Sequence, residues 1–586
     1  LCDIALRGQP DKAEALHSIK ETTDLAMEGK LSFRESLERR VGLLQANKRH
    51  LPELVERLGK KVSTSIDRNK EFFAEYADSV HIISNGFSDF IEPIVAPYGI
   101  PAAHVHANSF VFDEEGNIVD FDRENPLSRG NGKVEVMKSL DFNGGEVYVI
   151  GDGYNDYEIR KAGFANRFYA FTENISRDSV VAQADHVIPS FDEFLYVNKL
   201  PMKLSYPKSR IKVLLLEGIH PDAQAKLKEE GYQVELVSTA LDEDELCERI
   251  KDVSILGIRS KTHITKRVLS HAKRLLAVGA FCIGTNQIDL EACLEKGVVV
   301  FNAPYSNTRS VVELAIGEII MLMRGIPDKH RDMHLGKWSK TAKNSFEIRG
   351  KKLGIVGFGN IGSQLSVLGE AIGMEVYYYD LVDRLPLGNA RQCGSLEELL
   401  GISDVVSLHV DGREENKFIF GEKEFAQMKE GSYFINLSRG FIVEIPALVE
   451  ALKSGKLRGA SVDVFPKEPK NNKEAFESEL IGLPNMLLTP HIGGSTMEAQ
   501  ENIASYVPNK VIDYVNTGNT FNSVNYPNVQ LPELRNAHRL LHVHKNVSGV
   551  LADINSVLAK HRINVLGQYL KTNETIGYMI MDIDKA

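Results

Sequence analysis

Arg439, Glu468 and His491 each follow a short apolar run, at the point where a strand would end. Hydride transfer from a 2-hydroxy acid needs a base for the hydroxyl proton, a carboxylate that orients this base, and a cation for the substrate's carboxylate and carbonyl oxygen. His491 suits the base because histidine has an intrinsic pKa near neutrality, and Arg439 suits the permanently charged cation. Glu468 would raise the pKa of His491 by accepting its N–H. A lone histidine after a strand is more often structural, so this chemistry requires that the three residues meet.

A glycine-rich turn between two apolar runs indicates a second function, the binding of a dinucleotide. The turn Gly357-Phe-Gly359-Asn360-Ile361-Gly362 follows the run Leu353 to Val356 and opens a helical pattern, and the next run ends at Asp380. The glycines permit a tight turn, a close approach to a pyrophosphate and helix–strand packing, while the helix N-terminus holds phosphates. Asp380 lies about 20 residues further on, where an acid binds the NAD ribose and repels the 2′-phosphate of NADP. An ordinary glycine turn would not explain this acid.

Alternating strands and helices must position all of these residues. Apolar runs of strand length lie at 211–216, 233–237, 255–257, 276–278, 298–301, 353–356, 376–379, 405–410, 433–436, 460–464 and 486–488. This alternation predicts an α/β fold with two doubly wound Rossmann-like domains and a ligand cleft between them, at the carboxyl ends of the strands. We expect a substrate-binding domain at 211–309 and 491–530, and an NAD-binding domain at 310–490.

Length and composition restrict the class of protein. The 586 residues are too many for one core, and hydrophobic residues at 43% and charged residues at 25% are typical of globular proteins. The net charge of −11 argues against nucleic-acid binding, and the scattered five cysteines against a disulfide frame or zinc site. The longest apolar helix carries Glu313 and Glu318, which indicates a core helix and no membrane span. Without a signal peptide, we expect a cytoplasmic protein with no membrane partner.

Residues in the first 200 positions could bind phosphate and a metal ion. Ser84 ends a strand-like run that starts at Val80, and Asp152 and Asp156 lie four residues apart on a glycine-rich loop after another run. Two such carboxylates suit a hard cation such as Mg²⁺, and Lys133 could neutralise phosphate charge. Taken singly, Ser84 is more simply a turn former and Lys133 a solvated charge.

In order, these residues resemble the second, third and fourth motifs of the haloacid-dehalogenase-type phosphatases, most closely those that act on phosphoserine. The helical stretch Ala26 to Val41 resembles their cap. The resemblance implies a domain at 1–200, with a helical cap at about 1–75 and a Rossmannoid core at about 76–200. It assigns Arg40 to the substrate carboxylate, Met27 and Phe33 to apolar contacts, Ser84 and Lys133 to phosphate, Asp152 to Mg²⁺, and Asn155 and Asp156 to support of the site.

One motif of this phosphatase family is missing from the given sequence. The family's nucleophilic aspartate belongs to a D-x-D-x-[ST] motif just ahead of the cap, and no such motif precedes Ala26. Either the motif was lost from the given sequence, or the domain is a degenerate relic. Asn85 also stands where many relatives carry glycine. The segment 201–210, with its prolines and basic residues, reads as a linker whose charge is solvated.

Residues 211 to about 530 resemble the D-isomer-specific 2-hydroxyacid dehydrogenases. Matching runs include 279–286, 301–311, 435–440, 463–469 and 488–495. The resemblance assigns Arg439, Glu468 and His491 to catalysis, Asp463 with the glycine turn to NAD, and Arg259, Ser260, Lys261, Asn307 and Lys340 to substrate. It implies oxidation of 3-phosphoglycerate to 3-phosphohydroxypyruvate, the first step of serine synthesis. Trp338 lies in a segment that contacts a neighbouring subunit in relatives, which implies a homo-oligomer (dimer or tetramer); burial in the core is the alternative.

The tail, 535–586, has a βαββ pattern that resembles an incomplete ACT domain, a small-molecule regulatory module. The resemblance assigns His544, Asn546 and Asn564 to binding of an effector, L-serine, although the entry loop after Asn546 departs from the family pattern. A docking domain without a ligand is the alternative.

Three functional hypotheses follow. In the first, the chain combines the dehydrogenase with a phosphatase that converts phosphoserine to serine. In the second, the front domain is an inactive structural or sensing module behind the dehydrogenase. The third, an NAD-sensing binding protein, does not explain why Arg439, Glu468 and His491 are all present.

Overall fold

The computed structural model describes residues 1–7, 12–27, 31–142, 144–469, 473–532, 534 and 537–584. The chain forms two compact units, Leu1–Arg210 and Ile211–Ala586. The architecture is mixed α/β, with a haloacid-dehalogenase-like domain, two Rossmann-like parallel sheets and a C-terminal ACT-like domain, which confirms the predicted fold class. In the described part of the chain, every helix is too short or too polar to cross a membrane.

The first unit begins with helices and continues as an α/β domain. Its elements are α1 (Cys2–Ala5), α2 (Lys12–Met27), α3 (Phe33–Gly42), α4 (Leu51–Gly59), α5 (Thr64–Arg68), α6 (Lys70–Glu75), β1 (Ile82–Phe87), α7 (Ser88–Val95), β2 (Val105–Asn108), β3 (Phe110–Phe112), β4 (Ile118–Phe121), α8 (Gly132–Ser139), β5 (Tyr148–Gly151), α9 (Tyr154–Lys161), β6 (Arg167–Phe171), α10 (Asp178–Val181), β7 (His186–Ile188) and α11 (Phe191–Val197). Strands β1 and β2 pair in parallel, β5, β6 and β7 form a parallel sheet, and β3 and β4 form an antiparallel pair.

Strands β1 and β5 contribute residues to the same apolar clusters but do not pair. Ile82 packs in the same apolar cluster as Ile150, and Ile83 in the same cluster as Val149. Yet the two strands belong to different sheets of the described chain. Five of the six residues of β1 and all of β5 are only half-buried, whereas inner strands of a parallel sheet are normally covered. The parallel strands of this domain therefore form two separate sheets in the described part of the chain.

The segment 201–210 is attached to the first unit. The Arg210 guanidinium donates to both carboxylate oxygens of Glu193, at 2.8 and 2.7 Å, and lies over the Tyr196 ring. Met202 packs against an apolar cluster of the same unit. The expectation that the charge of this segment is solvated is therefore wrong for Arg210.

The second unit begins with a five-stranded parallel sheet in the order β12-β11-β10-β8-β9. Its elements are β8 (Lys212–Leu215), α12 (Pro221–Glu229), β9 (Gln233–Leu236), α13 (Glu243–Arg249), β10 (Ile255–Ile258), α14 (Lys266–His271), β11 (Ala277–Ala280), α15 (Leu290–Glu295) and β12 (Val299–Phe301). Strands β8, β10, β11 and β12 are almost entirely buried, as expected for a sheet covered on both faces, whereas the edge strand β9 is partly exposed.

A seven-stranded parallel sheet in the order β15-β14-β13-β16-β17-β18-β19 follows. Its elements are α16 (Thr308–Met323), α17 (Ile326–His334), β13 (Lys352–Val356), α18 (Asn360–Ala371), β14 (Glu375–Tyr379), β15 (Arg391–Gln392), α19 (Leu396–Ile402), β16 (Val405–Leu408), α20 (Glu422–Gln427), β17 (Ser432–Asn436), α21 (Ile445–Lys453), β18 (Leu457–Val462) and β19 (Met486–Leu488). The order reverses at β13, where a doubly wound sheet places its ligand.

Helix α22 (Met497–Thr517) returns to the first of these two sheets, as the sequence predicts. It lies so close to β11 that a Cβ atom at Gly279 would be 2.7 Å from Val507 Cγ1. The domain that contains the five-stranded sheet is therefore built from two separate parts of the chain.

The tail consists of β20 (His538–Lys545), α23 (Val550–Lys560), β21 (Val565–Thr572) and β22 (Ile576–Ile583). The antiparallel sheet has β22 at its centre, and this strand is buried throughout. The Tyr578 hydroxyl donates to the carbonyl oxygen of Gly518 at 2.6 Å, and Arg539 Nη1 donates to the carbonyl oxygen of Thr517 at 3.0 Å. These contacts join the tail to the end of α22.

Candidate active site

The predicted dinucleotide turn has the shape that a pyrophosphate requires. Gly357 has a φ of +92°, and a Cβ atom there would lie 2.6 Å from the carbonyl oxygen of His409. A Cβ at Gly362 would lie 2.1 Å from the Gly357 carbonyl oxygen, whereas the space around Gly359 is open. Helix α18 begins at Asn360, so the free N–H groups of its first turn, which includes Ile361, face the glycine turn. The residues present therefore fit NAD.

Asp380 lies at the end of β14 and holds the turn from the other side. Its carboxylate accepts hydrogen bonds from the backbone N–H groups of Phe358, at 2.8 Å, and Val382, at 2.9 Å. A carboxylate has about four acceptor positions, so Asp380 can still accept from ribose hydroxyls. This is the position that sequence reasoning assigned to the acid that distinguishes NAD from NADP.

His491 and Glu468 meet directly. His491 Nδ1 lies 2.9 Å from Glu468 Oε2, and the second oxygen of Glu468 accepts from the backbone N–H of Phe465. The hydrogen bond to Glu468 raises the pKa of His491 above its ordinary value, against the opposing effect of burial. Burial would raise the pKa of Glu468, but the hydrogen bond and charge of His491 outweigh it and lower this pKa. Because Nδ1 binds Glu468, Nε2 is the atom left for a substrate.

Asp463 holds the loop that carries His491. Its buried carboxylate accepts hydrogen bonds from the Thr489 hydroxyl at 2.6 Å and from the backbone N–H groups of Ile492 and Gly493, both at 2.8 Å. His491 itself has a left-handed backbone, with a φ of +54°. Asp463 thereby stabilises the turn that aims the imidazole, and its assignment to the cofactor stays a prediction.

Arg439 lies against two glycines from two different loops. A Cβ at Gly284 would be 3.0 Å from its Nη2 atom, and a Cβ at Gly412 would be 3.2 Å from its Nε atom. Burial lowers the pKa of Arg439, while Cys282, Glu468 and Asp411 act in the opposite direction. The guanidinium keeps its charge at neutral pH because the ordinary pKa of arginine is so high.

The loops around Arg439 connect the two halves of the cleft. Asn286, in the loop after β11, donates to the carbonyl oxygen of Gly412, in the loop after β16, at 3.2 Å. Arg439, Glu468 and His491 therefore lie together at the carboxyl ends of β17, β18 and β19. The geometry supplies a cation, an orienting acid and a base in one cleft.

The predicted substrate residues differ in their exposure and in the loops that carry them. Arg259, Ser260 and Lys261 follow β10, with Arg259 half-buried and the other two exposed. Asn307 precedes α16, and its amide nitrogen lies close enough to Gly494 that a Cβ there would be 2.1 Å away.

Lys340 is exposed on the segment that also carries Trp338, whose exposed fraction is 79%. Trp338 is thus not a core residue. Its contact with a neighbouring subunit stays a prediction, as does the role of Lys340.

In the first unit, the predicted phosphate and metal residues bind one another. Lys133 Nζ lies 2.6 Å from Asp156 Oδ1, and the other oxygen of Asp156 accepts from the backbone N–H of Gly153. Asp152 binds Arg177, with Nη1 2.5 Å from Oδ2. Lys133 is therefore not the solvated charge that its isolated reading suggested.

Other residues of the phosphatase-like resemblance have local roles in this structure. Ser84 lies within β1, where its hydroxyl accepts from the backbone N–H of Gly86 at 3.0 Å, and Asn85 donates to the Leu127 carbonyl. Arg40 is partly buried, which lowers its pKa. Phe33 packs against an apolar cluster that includes Leu37 and Val41. Asn155 lies in the first turn of α9, and the side chain of Met27 is outside the described residues.

The residues of the first unit do not complete a magnesium site. No group of three or more His, Cys, Asp or Glu side chains within the described residues could hold a metal ion. Asp152 and Asp156 each bind a basic side chain instead. We therefore derive no chemical step that involves Mg²⁺.

Each of the three predicted effector residues has a different hydrogen-bond partner. His544 Nδ1 lies 3.2 Å from His542 Nδ1, and Asn546 donates to the Asn573 carbonyl at 2.8 Å. The backbone carbonyl of Asn564 accepts from Asp584. Their assignment to an effector stays a prediction.

Sequence reasoning missed several residues that shape the cleft, chiefly Glu217, Asn286 and Gln287. Glu217 follows a strand directly, the same signal that identified Arg439. Asn286 and Gln287 carry no comparable signal, because only their contacts across loops distinguish them from ordinary polar loop residues.

Comparisons with known proteins agree with this arrangement. The NAD-binding domain of the D-isomer-specific 2-hydroxyacid dehydrogenases matches residues 316–493, haloacid dehalogenase-like hydrolases match 3–160, and the ACT domain of the AHAS small-subunit type matches 540–586. D-3-phosphoglycerate dehydrogenase from Haemophilus influenzae is 51% identical over 383 residues, which are 65% of this chain and 93% of the relative.

Two eukaryotic relatives match a similar share of this chain. The D-3-phosphoglycerate dehydrogenase of Dictyostelium discoideum is 52% identical over 380 residues, covering 65% of this chain and 93% of the relative. D-3-phosphoglycerate dehydrogenase 2 of Saccharomyces cerevisiae is 46% identical over 413 residues, covering 67% and 88%. With nearly the whole length of such relatives matched around the Arg439–Glu468–His491 cleft, the chain belongs to the D-3-phosphoglycerate dehydrogenase family, with a haloacid-dehalogenase-like domain before the dehydrogenase and an ACT-like domain after it.

Proposed function

We propose that this chain oxidises 3-phosphoglycerate to 3-phosphohydroxypyruvate with NAD. The observation that carries the proposal is the contact of His491 with Glu468 at 2.9 Å in the cleft that also holds Arg439. An NAD-sensing protein would need the glycine turn and Asp380, but it would not need a base with a raised pKa.

In the proposed reaction, the substrate loses a hydride from its C2 carbon and a proton from its C2 hydroxyl. NAD, when bound, accepts the hydride. His491 Nε2 accepts the hydroxyl proton while Nδ1 keeps its hydrogen bond to Glu468, which stabilises the imidazolium. Arg439 binds the carboxylate and the oxygen that becomes the carbonyl. The cations of the Arg259–Lys261 loop bind the phosphate at the far end of the molecule.

The test is the formation of NADH from 3-phosphoglycerate and NAD, measured by absorbance. D-lactate and glycerate serve as hydroxy acids without phosphate, and NADP replaces NAD in a parallel series. We expect activity with the phosphorylated acid and NAD far above all other combinations. Activity that is absent with 3-phosphoglycerate, or highest with an unphosphorylated acid, would contradict the proposal.

As a second function, we propose that the haloacid-dehalogenase-like domain dephosphorylates phosphoserine, the last step of serine synthesis. The match of residues 3–160 to haloacid dehalogenase-like hydrolases supports this proposal, as do Ser84 and Asp152, which lie in and directly after the parallel strands β1 and β5. The alternative, an inactive structural or sensing domain, rests on the ion pairs that occupy Asp152 and Asp156.

Phosphate release from phosphoserine, with and without Mg²⁺, distinguishes these two possibilities. Release that requires Mg²⁺ and is abolished by Asp152→Asn would support the phosphatase. The dehydrogenase reaction of the same preparation serves as the control for correct folding. Equal release in both variants would contradict the assignment of Asp152.

For the ACT-like domain we propose L-serine as an effector that binds between two copies of the chain. The supporting feature is the position of His544 and Asn546 at the end of β20. Inhibition of NADH formation by L-serine but not by D-serine, lost in Asn546→Ala, is the expected result. Analytical ultracentrifugation of the same protein tests the proposed homo-oligomer.

A further inference from the structure

Glu217 has a strained backbone just past the carboxyl end of β8, an inner strand of the proposed substrate-binding domain. It lies just after β8 and has a φ of +62°, and Gly218 beside it has a φ of +61°. The N–H of Glu217 donates to the carbonyl of Thr239 at 3.0 Å, and that of Gly218 donates to the carbonyl of Val237 at 3.1 Å. A non-glycine residue keeps such a conformation only where its surroundings impose it, so the reason must lie in its contacts.

The Glu217 carboxylate is surrounded by the backbone of the loop that carries Arg259 and Lys261. Its Oε1 atom accepts from the N–H of Arg259 at 3.1 Å and of Thr262 at 2.8 Å, and Oε2 accepts from the N–H of Lys261 at 3.0 Å. Hydrogen bonds to an ionised acceptor are stronger than neutral ones. A single side chain therefore determines the path of residues 259–262.

These bonds decide how the loop can recognise an anion. Many phosphate sites use backbone N–H groups of a loop or helix start as donors. Here the N–H groups of Arg259, Lys261 and Thr262 already donate to Glu217. These three N–H groups are therefore not available to a phosphate, and the loop must be held so that the side chains of Arg259 and Lys261 point to the right place.

Gln287 holds the same loop from the other side. Its Nε2 atom donates to the carbonyl oxygen of Arg259 at 2.7 Å and to that of Gly284 at 3.2 Å. The backbone of Gly284 lies against the Arg439 guanidinium. Arg259 is thus held at both its N–H and its carbonyl, and the loop has a defined position relative to the cation of the active site.

We propose that Glu217 is a positioning residue that selects phosphorylated over unphosphorylated 2-hydroxy acids. It acts through the loop: by holding three N–H groups, it places the Arg259 and Lys261 side chains at a set distance from Arg439. A substrate with a phosphate at its far end then reaches both sites, while a substrate without one gains nothing from the loop. The inference rests on the proposed dehydrogenase function and deepens it.

The test compares Glu217→Gln with the wild-type full-length protein. Glutamine has the same shape, but its amide nitrogen would face a backbone N–H, so at least one of the three hydrogen bonds is lost. We expect the KM for 3-phosphoglycerate to rise about tenfold or more, with kcat changed by less than about threefold. The KM for NAD and the kcat/KM for glycerate should be unchanged. Glu229→Gln, at the exposed end of α12, is the matched control.

A double-mutant cycle with Lys261→Met separates positioning from general destabilisation. If Glu217 acts through the loop cations, its replacement costs much less in kcat/KM once Lys261 is gone. Fully additive effects would overturn the inference. An equal loss of kcat/KM for 3-phosphoglycerate and glycerate would also overturn it, because that pattern indicates a general structural role. Circular dichroism of each variant verifies that the fold is intact.

Calorimetric binding of 3-phosphoglycerate to the NADH-loaded protein distinguishes failure of this inference from failure of the proposed reaction. Binding without oxidation by the wild type would contradict the reaction, and weaker binding by Glu217→Gln would still support the inference. Equal binding by both proteins would overturn the inference whether or not NADH forms. A wild type that neither binds nor oxidises 3-phosphoglycerate would overturn both.

Discussion

The dehydrogenase cleft and the haloacid-dehalogenase-like domain both collect ionic side chains at the ends of parallel strands, but they pair them differently. In the cleft, the carboxylate of Glu468 binds the imidazole of His491. In the front domain, Asp152 binds the guanidinium of Arg177, and Asp156 binds the ammonium group of Lys133. From the residue types alone, the two sites would be equally good candidates for catalysis.

The difference is whether a pair can exchange a proton. Histidine is the side chain whose ordinary pKa lies closest to neutrality, and His491 remains half-exposed, so a substrate can reach it. Arginine–aspartate and lysine–aspartate pairs hold fixed charges and become available only when a ligand replaces a partner. The cleft is therefore ready for acid–base chemistry, whereas the front domain must first give up an internal contact.

The largest expected effect is that of His491→Asn. Loss of the base should lower kcat/KM for 3-phosphoglycerate by about a thousandfold, the usual range for a general base. Steady-state NADH formation measures it. His561→Asn, at an exposed position after α23, is the control and should be neutral. If His491→Asn retained wild-type activity, the contrast between the two regions would lose its basis.

Glu468→Gln should have the next largest effect. Misorientation of the imidazole should lower kcat/KM by about a hundredfold. The sign of the pH effect also follows: Glu468 raises the pKa of His491, so its loss lowers that pKa and leaves the base unprotonated at lower pH. The acid limb of the kcat/KM profile for oxidation should therefore move to lower pH. A profile that moves to higher pH would contradict the assigned roles.

Lys133→Met tests the more buried pair of the front domain. Its side chain and that of Asp156 are only 15% and 13% exposed, so removal of the lysine leaves a poorly solvated carboxylate. We expect the free energy of unfolding of the first unit to fall by about 2 kcal/mol. Hydrogen exchange of residues 82–171 in the full-length protein measures it.

The same experiment contains its own control. The double variant Lys133→Met/Asp156→Asn should recover much of the loss, because no unpaired charge remains. NADH formation should be unchanged in both variants. If the single variant were as stable as the wild type, the pair would have no structural role and the residues would be free for a ligand.

Much of the fold and of the cleft could be predicted from the sequence for identifiable physical reasons. Buried parallel strands are continuous apolar runs, and Gly357 and Gly362 are required because other atoms lie where a Cβ would be. The meeting of Glu468 with His491 depends on the turn that Asp463 holds, which no spacing rule describes.

Partners from loops without a motif could not be predicted. Arg177, which binds Asp152, lies outside every motif that the sequence suggested, and the hold of Glu217 on the Arg259–Lys261 loop depends on backbone N–H groups. Such contacts are properties of the folded backbone, so residue types and spacing do not reveal them.

The smallest expected effect is that of Arg177→Met. The side chains of Arg177 and Asp152 are 39% and 49% exposed, so water screens their attraction, and the loss should lower the free energy of unfolding of the first unit by less than about 0.5 kcal/mol. Hydrogen exchange, compared directly with Lys133→Met, measures the difference. A contact that contributes so little can be exchanged for a ligand at little cost, whereas the Lys133–Asp156 contact cannot. Of these two carboxylates we therefore expect Asp152 to be the one available for binding, and a loss as large as that of Lys133→Met would assign it to structure instead.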